Sequence, residues 1–283
     1  MKSTSCTHEA STRGTVSQFI QERKYLKNVS PKTLAWYRNA FAAFDGCETV
    51  EAINGRIIEL RSRGVAAISV NSWLGCMNAY FRWRGDAIAI PKLKQEQKVL
   101  STLTPEQVRR LIGFKPSGIN ETRVHMVALL VLDGGYRISE VLQLPTEHCD
   151  FDNLMVKVRG KGNKHRLVPM SITMRKVLYR YASRRAQGQL IFGTRNNSPV
   201  SVRNFERDLK VVGHRLGIEG VRFSPHTLRH TFAVSYLRNG GNLFYLSKIL
   251  GHSTIKTTER YLQSLQVTDF QAVHDKLSPL TRY

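Results

Sequence analysis

The chain has 283 residues, enough for one large domain or two ordinary ones, and its 43 Lys and Arg against 21 Asp and Glu give a formal charge of +22. A hydrophobic content of 41% excludes wholesale disorder. The longest apolar run, 124–132, contains His125 and is far shorter than the ~20 residues of a membrane span. The polar start, MKSTSCTHEASTRG, lacks the apolar stretch of a secretory signal. Cys6, Cys47, Cys76 and Cys149 show no CxxC spacing, which argues against a zinc ribbon or a disulfide framework and points to a reducing cytosol.

Both halves are basic. Residues 1–98 carry 15 basic and 8 acidic side chains, net +7, and residues 99–283 carry 28 and 13, net +15. A charge this large and this evenly spread points to a polyanionic partner, with nucleic acid ahead of a membrane surface because no basic amphipathic anchor or lipidation motif is present.

Residues 1–14 read as a disordered N-terminus. Helical spacing follows over 16–26. A second helix starts at Ser30-Pro31, an N-cap with proline at the first helical position, and places Leu34, Tyr37, Phe41 and Phe44 on one face. A third covers 50–62 and a fourth 69–84, with Trp73, Met77, Tyr80 and Phe81. The domain boundary falls within 87–103, giving a helical domain over 15–90, a linker over 91–103 and a second domain over 104–283. Thr104, Pro105 and Gln107 form a capping-box start. Helices are expected at 105–114, 121–132 and 138–144, a β-hairpin at 155–159 and 166–169 around GKGNKH, then helices at 171–186, 202–216, 226–239, 243–250 and 255–262. The tail, 263–283, is polar, but Phe270, Val273 and Leu277 share one face of a short helix. The fold class is mainly α, with an all-α first domain and an α+β second domain holding a small antiparallel sheet.

Four segments carry candidate chemistry: GGYRISEVLQL (134–144), VRGKGNKHRLVPM (158–170), HTLRHTFAVSYLRNG (226–240) and LGHSTIKTTERY (250–261). His226 and Arg229 lie three apart near a helix start and make either an anion site or a solvated face. Arg137, after two glycines, is either oriented by Glu140 or simply paired with it on the surface. Lys161, between Gly160 and Gly162, is either thrust forward by a tight turn or an ordinary hairpin residue. Tyr261, at a helix end, would alone be read as packing.

Taken together in this order, the segments resemble the tyrosine recombinases of the phage-integrase family: arginine, lysine in a β-hairpin, His-x-x-Arg, a second histidine, then tyrosine. SPKTLAWYRNAF at 30–41 also resembles that family's first helical hairpin. The resemblance implies two lobes that clamp duplex DNA and a Tyr261 nucleophile that forms a 3′-phosphotyrosine. It assigns charge neutralisation to Arg137 and Arg229, general-acid work to Lys161, base or orienting work to His226, a phosphate hydrogen bond to His252, and support to Glu140. His230 is expected to pack below the site. DNA contacts are expected from Lys164, His165, Arg166, Lys32 and Arg82. No metal, ATP or other cofactor is expected. The resemblance further implies a monomer in solution, a homotetramer on paired DNA sites, a tail exchanged between neighbouring subunits, and a cytoplasmic, nucleoid-associated location. A type IB topoisomerase or a non-catalytic DNA-binding relative are the alternatives.

Overall fold

The computed structural model describes residues 14–95, 100–160 and 165–281. The chain divides into two compact units, Met1–Gln97 and Lys98–Tyr283.

The first unit holds four helices: α1 (Val16–Tyr25), α2 (Pro31–Ala43), α3 (Val50–Ser62) and α4 (Ala67–Arg84). The side chains of Thr15, Ser30 and Thr49 cap α1, α2 and α3, and α4 stops at the left-handed Gly85. Phe19 is the hub of its core, with edge contacts to Tyr37, Phe41, Tyr80 and Trp83 at centroid separations of 5.1 to 5.9 Å. All three tryptophans of the chain lie here; Trp36 donates to Ser72 and Trp83 to Glu22.

The start of the expected linker is part of this unit. Asn78 exchanges two hydrogen bonds with the backbone of Ile90, both 2.8 Å, and Asn71 does the same with Leu93 at 2.9 and 2.7 Å. Each asparagine mimics a strand partner, so Ile90 is buried in a segment that has no periodicity of its own.

The second unit begins with α5 (Pro105–Ile112), opened by the Thr104–Gln107 capping box. Then come α6 (Gly118–Gly134) and α7 (Ile138–Leu142), followed by a 3-10 turn at Thr146–His148. A three-stranded antiparallel sheet follows: β1 (Cys149–Asp150), β2 (Met155–Arg159) and β3 (His165–Pro169), in the order β1-β2-β3. Arg159 pairs with His165 at the end of β2–β3 where the two strands connect. β1 has only two residues and was not expected. Helices α8 (Ile172–Ala182), α9 (Val202–Arg215), α10 (Pro225–Arg238) and α11 (Leu243–Leu250) complete the body.

The helix expected at 255–262 is broken. A four-residue α12 (Lys256–Glu259) gives way to a 3-10 turn at Leu262–Ser264, and α13 (Val267–Leu277) forms the tail. The tail lies against its own unit: Arg238 of α10 bonds Asp269 at 3.2 Å and the Ser264 carbonyl at 3.3 Å. Phe270 is 54% exposed. Among the described residues no helix is long and apolar enough to cross a membrane.

Helix α6 is apolar nearly all round and runs through the main core, packed by α9 and α10. It ends at Gly135 with φ 63°, a left-handed cap. A Cβ there would run into the Phe232 ring and lie 2.7 Å from Leu250 Cδ2. Left-handed strain and overpacking each cost ~1–3 kcal/mol, so Gly135→Ala should lower unfolding free energy by at least that much in a denaturant titration.

Candidate active site

Two helix ends build the site. The C-termini of α6 and α11 leave carbonyls without intrahelical partners, at the negative ends of the helix dipoles. Both end on left-handed glycines, Gly135 and Gly251, which turn these carbonyls toward one place. Arg229, from the first turns of α10, is 6% exposed and donates Nη1 to Gly135 O at 2.6 Å and Nη2 to Leu250 O at 2.9 Å. Arg137, at the start of α7, donates Nη2 to Gly251 O at 3.0 Å. Arg166, on β3, donates Nε to Ile249 O at 2.8 Å.

Glu140 ties two of these guanidiniums together. Its carboxylate, 6% exposed, accepts four hydrogen bonds: from Arg137 N and Nη1 at 2.8 and 3.0 Å, and from Arg166 Nη1 and Nη2 at 2.9 and 2.8 Å. That fills the acceptor capacity of a carboxylate. Burial pushes its pKa up, but Arg166 and Arg137 outweigh burial and hold it below the usual range. Arg137 keeps a 41% exposed side chain beside a cleft of about 600 Å³ lined also by His148, Lys157 and Arg159. Burial, and then repulsion from Arg137, lowers Arg229 to about 10, so it stays charged at neutral pH.

His252 stands between Arg229 and α12. Its Nε2 lies 3.0 Å from Arg229 Nη2 and its Nδ1 lies 2.8 Å from Thr258 Oγ1. A guanidinium only donates, so Nε2 accepts and Nδ1 carries the proton. Burial and the Arg229 and Arg137 charges push His252 down to about 4. Tyr261 is 2% exposed, with its ring parallel to His252 at 6.5 Å. Its hydroxyl lies 3.3 Å from His230 Nδ1.

The structure therefore brings together Arg137, Glu140, Arg229, His252 and Tyr261. His226 is exposed on the first turn of α10, its ring 6.3 Å from that of His230. Three expectations change. His230 does not merely pack below the site, because it bonds the tyrosine hydroxyl. His252 has both ring nitrogens engaged within the protein, so in this state it braces Arg229 and has no N–H to offer a phosphate. Arg166, expected on DNA, is turned inward onto Glu140; the two-residue alternation that buries Val168 also turns residue 166 from solvent, a signal present in the sequence.

His165, Lys32 and Arg82 are exposed. Lys161 and Lys164 lie outside the described residues, between Arg159 and His165. Among the described residues no group of three or more His, Cys, Asp or Glu could hold a metal ion.

The described residues of the second unit thus set a buried tyrosine beside an arginine cluster, an arrangement suited to an anionic ligand. Residues 101–267 match the model of the phage integrase family. The chain is 29% identical to the tyrosine recombinase XerA of Thermococcus kodakarensis, over 83% of this chain and 86% of that protein. It is 32% identical to XerA of Thermococcus onnurineus, over 72% of this chain and 74% of that one. The fold is similar to the Tn1549 transposon integrase solved in complex with transposon right end DNA, with a TM-score of 0.71, 18% identity, and coverage of 94% of this chain and 100% of that one. The chain belongs to the phage integrase family and is a tyrosine recombinase, an enzyme of site-specific DNA recombination.

Removing the Glu140 charge leaves Arg166 and Arg137 facing each other without a counter-ion, a change worth on the order of 3 kcal/mol for a buried pair. Because its pKa is lowered on folding, Glu140 contributes stability above the unfolded carboxylate value of ~4.3 and loses it as pH falls below that. Glu140→Gln should therefore melt at lower temperature at pH 7, with the difference from wild type shrinking toward pH 3 in parallel thermal scans.

Proposed function

We propose that the Tyr261 hydroxyl attacks a phosphodiester of duplex DNA, forming a 3′-phosphotyrosine and releasing a 5′ hydroxyl. The observation that carries this reading is the placement of the Tyr261 ring against His252, which is itself hydrogen-bonded to Arg229. A pentavalent phosphorane concentrates negative charge on its non-bridging oxygens. A guanidinium offers five donors; Arg229 uses three on Gly135, Leu250 and His252, leaving two, and Arg137 uses two on Glu140 and Gly251, leaving three. Such preorganised donors are worth ~10²–10³ each in rate.

His226, exposed at the start of α10, orients the phosphate. Lys161 delivers a proton to the departing 5′ oxygen from the hairpin turn. The phosphotyrosine conserves the energy of the broken bond, so a 5′ hydroxyl from a second duplex can displace Tyr261 and create a Holliday junction. Lys164, His165, Lys32 and Arg82 are assigned to the DNA backbone. Arg166 is not, for the reason given above. The enzyme is proposed to act at the nucleoid, as a monomer until four subunits close a ring on two DNA sites.

A cyclic tetramer needs a head-to-tail contact that closes. Phe270, on the solvent side of α13, suits a tail that reaches a neighbour. On this reading, deletion of residues 264–283 leaves binding of a single site in a gel-shift assay but abolishes two-site recombination, and Phe270→Ala does so in part. Recombination at the normal rate without the tail would contradict the tetramer reading. The nucleophile is tested separately: Tyr261→Phe should bind DNA as wild type does yet give no covalent adduct on a nicked suicide substrate, and an adduct of undiminished yield would remove Tyr261 from the reaction.

A further inference from the structure

Helix α10 carries His226 and His230 one turn apart on the same face, while Arg229 points to the carbonyl ends of α6 and α11. The two histidines have different surroundings. His226 is exposed and makes no hydrogen bond to Tyr261 among the described residues. His230 is half-buried, its ring centroid 5.6 Å from that of Tyr261, and its Nδ1 is the sole hydrogen-bond partner of the Tyr261 hydroxyl among the described residues. The phenol cannot be turned freely to another acceptor, because its ring is wedged into an apolar cluster with Ala233, Val234, Leu237, Leu246 and Leu250.

The groups that face His230 are all cationic or neutral: Arg229 and His226 on its own helix, Arg260 from the segment after α12, and the phenol itself. Burial, then Arg260, His226 and Arg229, push its pKa down to about 4. The imidazole is thus neutral at physiological pH, and with Nε2 protonated it presents the Nδ1 lone pair to the phenol.

We infer that His230, and not His226, is the proton acceptor for Tyr261. This rests on the reading of Tyr261 as nucleophile. As the bond from the Tyr261 oxygen to phosphorus forms and the bond from phosphorus to the 5′ oxygen breaks, the phenol proton passes to His230 Nδ1. The 5′ oxygen takes its own proton from the general acid. On rejoining, an incoming 5′ hydroxyl gives its proton to the general acid, which lost one in the forward step, the phosphotyrosine bond breaks, and His230 returns a proton to the tyrosine oxygen. An imidazolium held beside Arg229 and Arg260 gives its proton back readily, which suits a reaction that must run both ways.

The test is single-turnover cleavage of a nicked suicide substrate by His230→Ala, His230→Asn, His226→Ala and Tyr261→Phe, with thermal melts and DNA affinity measured on each. Asparagine at 230 keeps an acceptor oxygen near Nδ1 but takes no proton. Loss of general-base assistance costs ~10²–10⁴ in rate, so His230→Asn and His230→Ala should both slow by ~10² or more while binding DNA normally. Added imidazoles should restore His230→Ala, and the restored rate should rise with the basicity of the azole. Because rescue compares one variant with itself, it is read whatever that variant's melting temperature. His230→Asn cleaving within about twofold of wild type would overturn the inference, since a hydrogen bond alone would then suffice. Slow cleavage by His230→Ala with no azole dependence would make His230 a packing residue, and rescue confined to His226→Ala would move the acceptor there. An adduct formed by Tyr261→Phe would instead remove the underlying reading and leave the histidine assignment without an object.

Discussion

Three arginines of like charge meet in one small volume, and the carbonyl ends of two helices are what let them stay there. Arg229, Arg166 and Arg137 take their positions from Gly135, Ile249, Leu250 and Gly251 at the ends of α6 and α11. Each of these carbonyls lacks a partner within its own helix, and together they carry the negative ends of two dipoles. Lysine could not serve in the same way, because a single ammonium cannot span two carbonyls from different helices with fixed planar geometry. The positive charge gathered here is therefore held in a fixed orientation, and at Arg229 it is also desolvated.

Glu140 turns this set of caps into a rigid frame. By filling its four acceptor sites with Arg137 and Arg166 it joins α7 to β3, the strand that leads out of the hairpin turn. Glu140 thus holds β3 and the Arg137 side chain in place together with the carbonyls of Ile249 and Gly251. His252 plays the corresponding part on the other side, receiving Arg229 and giving its remaining proton to Thr258, so that α12 and the tyrosine after it are set relative to the arginines.

Much of this was legible in the chain before the structure. Ser30-Pro31 and Thr104-Pro105 announce helix starts because side-chain caps act within three residues, and both helices begin there. The pairing of Arg137 with Glu140 follows from their spacing. What the sequence hid was the non-local part. β1 is two residues long and has no alternation to detect; it exists because β2 offers it an edge. The segment around Ile90 looks like a linker because its hydrogen bonds come from asparagines twelve and twenty-two residues away. The contact between His230 and Tyr261 was hidden for the same reason: its partner lies thirty-one residues on, and only the turn after α12 brings the hydroxyl to it.

The tryptophans have a practical consequence. Trp36, Trp73 and Trp83 all belong to the first unit, with two of the three indole N–H groups bonded to Ser72 and Glu22, while the unit that holds Tyr261 contains none. Indole emission excited at long wavelength is therefore a native optical reporter of one half of the molecule. Events confined to the other half, such as movement of α12 or release of the tail, are silent in that signal. Emission compared with far-ultraviolet dichroism, which sees the helices of both units, separates the melting of the two without a label or a truncation.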